Sequence, residues 1–151
     1  MYNYSYALLF LAWFQCHTAA TRFATICLGY RNNHNPRVAL ADMDKSGKYP
    51  SGLMAKLRRR EAAHQNCLEM FGIFVAAVVA GNTAGLSARW MNSFSLAYLL
   101  LRCAYIFLYI KVTSDPTSFL RTAVWTMMNV LILVTLLRTG EALNGGVGLL
   151  G

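Results

Sequence analysis

The stretch RREAAHQNCLEMFGIFVAAVVA, residues 59–80, decides how the rest of the chain is read. Its second half is continuously apolar, yet from Cys67 to Ala80 a helix rises only about 21 Å at ~1.5 Å per residue. A hydrocarbon core is about 30 Å thick. A spanning helix here must therefore continue upstream through Asn66, His64 and Arg59, carrying polar groups into the membrane. Lipid-facing Asn and Glu are costly, so Asn66 and Glu69 are expected to point into a bundle or a wet cavity.

Three further apolar runs, residues 4–29, 91–110 and 119–137, are each about long enough to span. Composition agrees, because 56% of the 151 residues are hydrophobic and only 13% charged, against roughly a quarter charged in soluble domains. The net charge of +8 is segregated between the runs. A basic cluster extends from Arg31 to Arg60, residues 82–92 contain only Arg89, and residues 111–118 return to the basic side with Lys111. The positive-inside rule places the first and third loops in the cytosol and both termini outside. Cations arranged this way fit a membrane protein with a basic side, and no nucleic-acid partner is expected. The first run lacks a preceding basic residue and a small-residue cleavage site, and reads as a retained span. Cys16, Cys27, Cys67 and Cys103 lie in apolar segments without a CxxC pair, so neither a metal site nor a disulfide framework is expected.

The expected architecture is all-α: one integral membrane domain, a four-helix bundle with helices about 4–29, 57–81, 91–111 and 117–138 and a basic cytosolic loop over 31–56. Pro116 suits the start of the fourth helix. The glycine-rich tail from Gly140 to Gly151 is expected to be mobile.

Helical positions three, four and seven apart share a face. Arg59, Ala62, Asn66 and Glu69 form one stripe, Tyr98, Arg102, Tyr105 and Tyr109 a second, and Arg121, Trp125 and Asn129 a third. The stripes can converge at the basic end. With Arg102 near mid-membrane and Glu69 the only acid within a span, a Glu69–Arg102 ion pair is the simplest way to bury both charges. Plainer readings stand beside these. Arg121 can snorkel to the interface, Tyr105 and Tyr109 can be interfacial aromatics, and Arg58 to Arg60 can serve as topology determinants. His64 reads as a polar helix residue, and Cys16 and His17, being adjacent, point about 100° apart.

Residues 59–71, RREAAHQNCLEMF, with RCAYIFLY at 102–109, LRTAVW at 120–125 and NPR at 35–37, resemble the MAPEG superfamily. These are membrane-associated proteins of eicosanoid and glutathione metabolism, including microsomal glutathione transferases and the leukotriene and prostaglandin E synthases. The resemblance implies a homotrimer, in the endoplasmic reticulum membrane of a eukaryotic cell, with sites between subunits near the cytosolic face. It implies glutathione as cofactor and a lipophilic substrate. Arg121 would activate the thiol, with Glu69 and Tyr109 beside it in the catalytic set. The tripeptide would be held by Asn66, Glu69, Arg102, Tyr105, Tyr109, Arg121, Thr122, Trp125 and Arg59, and Arg22 matches a first-helix arginine of the site. One departure stands out. Glutathione-using members carry arginine four residues before the asparagine, where this chain has Ala62, and the residue before the asparagine, arginine in some members, is Gln65. Losing one desolvated carboxylate contact costs about 2–5 kcal/mol. Arg58, Arg59 or Arg60 could compensate from a turn earlier, or the cleft serves another ligand.

Three functions follow from the resemblance. The first is glutathione conjugation or reduction of a lipid hydroperoxide. The second is a glutathione-independent isomerase or cyclase of a hydrophobic metabolite, with Glu69, His64, Tyr105 or Tyr109 supplying protons and Arg121 stabilising negative charge. The third is a non-catalytic membrane scaffold.

Overall fold

A computed structural model describes residues 1–32 and 34–146, with the backbone alone for 115–117. The helices are α1 (Ser5–Thr18), α2 (Arg22–Cys27), α3 (Ala39–Lys45), α4 (Ser51–Thr83), α5 (Ala88–Lys111) and α6 (Asp115–Leu143), with a 3-10 turn at Pro36–Val38. No strand occurs among the described residues. Local chemistry sets the helix starts. Pro50 precedes α4 in an extended conformation, the Ser87 hydroxyl accepts from the Trp90 amide at 3.3 Å to open α5, and a proline lies in the first turn of α6. Three helices, α4, α5 and the part of α6 from Ser118 to Leu143, are long and apolar enough to cross a membrane.

The run over 4–29 does not form the single helix expected of it. It breaks after Thr18, leaving a 14-residue α1 and the short α2. No glycine or proline lies at the break, and side chains from α4 stabilise it instead. Arg60 donates from Nε to Ala19 O (3.0 Å) and from Nη2 to Thr18 O (2.6 Å), and His64 Nδ1 donates to Cys16 O at 2.8 Å. These carbonyls belong to the end of α1, where no intrahelical donor remains and positive charge suits the helix dipole. The Thr18 hydroxyl turns back on Gln15 O at 2.7 Å, and the Thr21 hydroxyl donates to the Glu61 carboxylate.

The loop expected over 31–56 is shorter and more ordered than its polarity suggests. α4 starts at Ser51, and α3 packs a small core of Met43, Met54 and Leu57 with Leu40, Leu53 and Leu28 against it. Tyr30 OH donates to Asp42 at 2.7 Å, and Tyr49 OH to Leu28 O at 3.0 Å. At the other terminus α6 continues through Gly140 to Leu143, so the expected tail begins as helix, and its last residues, 147–151, lie outside the described residues.

Contacts fix the directions of the helices. At one end Asn82 Nδ2 meets Ser5 Oγ (2.9 Å), Asn92 Oδ1 accepts from Tyr4 N (2.7 Å), and the Arg138 guanidinium stacks 3.9 Å from the Trp90 ring. At the other, Arg59 Nε donates to Ile110 O at 3.2 Å, beside the α1 terminus held by Arg60. Hence α1 runs antiparallel to α4 and parallel to α5, and α6 returns antiparallel to α5. The first and last described residues share the end opposite the arginine cluster. The core lies between α4, α5 and α6: Phe74 stacks on Tyr98 with centroids 3.9 Å apart, flanked by Met70, Val78, Phe94, Met128 and Ile132.

Arg60→Ala strands two carbonyls at the end of α1 and is expected to lower the stability of the detergent-solubilised protein by about 1–3 kcal/mol, with Arg60→Lys recovering part of the loss. A Tm equal to wild type in the alanine variant would show that α1 ends without help from α4.

Candidate functional site

The stripe of α5 carries the centre of the site. Arg102 is 1% exposed, donating from Nη1 to Asn66 Oδ1 and from Nη2 to Tyr98 OH, each at 3.0 Å. Its guanidinium carbon lies 5.5 Å from the Tyr98 ring centre and 5.2 Å from that of Tyr105. Ring faces attract cations, and more so where water is excluded. Tyr105 meets Tyr109 edge-on at 5.5 Å, and the Arg121 guanidinium lies 4.4 Å from the Tyr109 ring centre. A continuous row, Asn66, Arg102, Tyr105, Tyr109 and Arg121, thus runs from α4 through α5 to α6. It passes from full burial at Arg102 to half burial at Arg121.

Arg102 does not pair with Glu69. The only ion pair among the described residues joins Arg58 to Asp44, and Glu69 is exposed with no partner there. Asn66 takes the place expected of the carboxylate. Glu69 lies about 4.5 Å further along α4 and rotated by about 60°, on the open flank of the stripe. Arg102 therefore stands in the interior without a described anion, and its Nε has no hydrogen-bond partner. The buried thiols of Cys16 and Cys67 meet beside it, a juxtaposition that nothing in the spacing of the cysteines announces.

The remaining expected residues take several places. Thr122 and Trp125 are exposed on α6, in the turn after Arg121. Arg59 is half-buried and bound to Ile110 O. None of the three arginines proposed to replace a side chain at Ala62 is unengaged: Arg58 pairs with Asp44, Arg59 holds the end of α5 and Arg60 the end of α1. Arg22 and His64 lie apart from the row. They line a cavity of about 740 Å³ beside α2, together with Thr21, Arg37, Glu61 and Gln65 and with apolar residues such as Leu40 and Leu68.

A lone buried guanidinium costs stability that a purely structural residue has no reason to impose. Arg102→Met is expected to keep or raise the Tm in detergent, whereas Asn66→Leu, which strips the cation of its amide acceptor, is expected to lower stability by about 1.5–3 kcal/mol. Equal losses in the two variants would mean that Arg102 serves the fold.

Comparison with known proteins bears out the family resemblance. The MAPEG family model matches residues 4–140. No curated protein and no solved structure matches the chain. With nearly the whole chain covered by that match, and three helices able to cross a bilayer, this integral membrane protein belongs to the MAPEG family.

Proposed function

We propose that the protein is a membrane enzyme of the glutathione transferase or peroxidase type, acting on a lipophilic substrate. The observation that carries this reading is the row from Arg102 to Arg121: a cation buried without an anion, linked through two tyrosines to a second cation at a half-open surface. Such a row suits a ligand that brings its own negative charge. The residues present fit glutathione on that ground, since the orphaned Nε of Arg102 and the unpaired Glu69 carboxylate are complementary to carboxylate and ammonium groups.

Asn66, Arg102 and Tyr105 hold the tripeptide from the interior, and Glu69 engages its amino group from the open flank. The Tyr109 ring fixes the Arg121 guanidinium, whose charge lowers the free energy of an adjacent thiolate. Glutathione, when bound, would supply that thiolate, either for conjugation to an electrophilic carbon with loss of its leaving group or, with a second glutathione as co-reductant, for reduction of a lipid hydroperoxide to the alcohol and water with formation of the disulfide. Thr122 and Trp125, exposed on α6, border the side from which a lipophilic substrate enters from the bilayer. In this reading the segment of α1 and α2 together completes a fourth crossing beside α4, α5 and α6, three protomers share the sites, and the basic ends face the cytosol, at the endoplasmic reticulum in a eukaryotic cell. The open flank bearing Glu69 would be covered by the neighbouring protomer.

A second reading has one observation in its favour. Ala62 offers no charge, and the arginines nearest to it are all engaged elsewhere. A cleft without that contact suits a glutathione-independent isomerase or cyclase, with Glu69 and Tyr109 moving protons and Arg121 stabilising negative charge. His64, directed at Cys16 O, has no part in it.

Titration of detergent-solubilised protein with glutathione and S-hexylglutathione separates the readings. A rise in Tm at millimolar ligand is expected, approaching about 2.7 kcal/mol of stabilisation at a hundredfold excess over Kd. No shift would reject the first reading. Arg121→Ala is expected to cut turnover on the order of 10²-fold with folding intact, and unchanged turnover would remove Arg121 from the chemistry. Ala62→Arg is expected to tighten glutathione binding about tenfold or more; unchanged affinity would show that the missing arginine is not what limits it.

A further inference from the structure

The row from Arg102 to Arg121 leaves another recess unused. Between α1 and α5 an almost wholly apolar groove of about 470 Å³ opens outward, walled by Phe14 and Thr18 on one side and Cys103, Ile106, Phe107 and Ile110 on the other. Phe14 and Phe107 are 58% and 61% exposed, so the walls stand against the bilayer. At the inner end Gln15 spends its Nε2 on Cys103 Sγ (2.6 Å) and Leu99 O (3.4 Å), offering an occupant no donor. From Cys103 to Lys111 the wall of α5 rises about 12 Å, close to the ~15 Å of one leaflet's hydrocarbon.

The groove's mouth lies at the basic end, and its charge is specific. Lys111 is itself a lining residue. Arg60 reaches the carbonyl of Thr18 on one wall, and Arg59 reaches the carbonyl of Ile110 on the other. Three cations therefore converge where an acyl chain would meet its headgroup. The neighbouring acid on α4, Glu61, is occupied by the Thr21 hydroxyl.

We propose that this groove binds an anionic phospholipid from the leaflet at the basic end, with one acyl chain between α1 and α5 and the phosphate on Lys111, Arg59 and Arg60. The apolar walls select a chain and the three cations select a negative head. The lipid would continue the α1–α5 contact at the level where α1 stops short. Apart from Arg59, which the family resemblance assigns to glutathione and which here holds the end of α5, the site contains none of the residues placed in the glutathione reading, and it does not depend on that reading.

Native mass spectrometry of the full-length protein, exchanged into equal amounts of phosphatidylglycerol and phosphatidylcholine of matched chains, tests the proposal. Preferential retention of phosphatidylglycerol is expected, falling about fivefold in Lys111→Gln and lost in Ile106→Trp, which fills the groove. Equal retention of the two lipids, or preference unchanged in both variants, would overturn it. So would efficient thiol cross-linking of Cys103 between copies in a Cys27→Ser background, which would put a second protomer in the groove. Should Ile106→Trp not fold, the Lys111→Gln comparison decides, together with a higher wild-type Tm in phosphatidylglycerol than in phosphatidylcholine.

Discussion

Holding a guanidinium in a dry interior requires that its N–H groups and its charge both be answered, and the centre of this molecule is arranged around that requirement. Asn66 and Tyr98 take one donor each, and the Tyr98 and Tyr105 rings face the charge. Because two tyrosines must sit at this level of α5, Phe74 of α4 finds a ring to stack on. Small buried residues, Cys16, Ala63 and Cys67, let α1 and α4 close around the guanidinium. The same geometry reaches Arg121 through Tyr109, so the demands of the interior extend to where a second guanidinium is held at the surface.

At the basic end the work is divided among consecutive residues. Neighbours on a helix point about 100° apart, so Arg58, Arg59 and Arg60 reach three different elements: α3 through Asp44, the end of α5 and the end of α1. Three consecutive arginines thus close two helix ends and tie down α3 by geometry alone. α3 and its small methionine and leucine core hold the connection against α4 on the same side.

Much of the site was legible because it is local in character. The 3-4-7 spacing that aligned Arg102, Tyr105 and Tyr109 on one face is a property of any helix, and the family resemblance those residues carried is met by a family match over residues 4–140. What escaped reading depended on partners far away in the chain. The break after Thr18 carries no local signal and is held by Arg60 and His64, 41 to 48 positions later. The Glu69–Arg102 pair failed because matching opposite charges ignores rotation about the helix axis, and an amide one turn earlier faces the arginine more directly. The connection over 31–56 looked like plain loop since charges, Asn, Pro and Gly interrupt its apolar residues, yet Leu40, Met43 and Met54 suffice for a small core.

The clamp joining the first residues to the α4–α5 turn bears on how the protein is made. Ser5, Tyr4 and Tyr2 find their partners Asn82 and Asn92 between 77 and 90 positions later. At about 5–20 residues per second of translation, the leading helix waits roughly 4–18 s in the translocon or bilayer before those amides emerge. Its docking is thereby deferred until α5 has begun, and until then the nascent chain keeps an open seam along which chaperones or sister chains can engage.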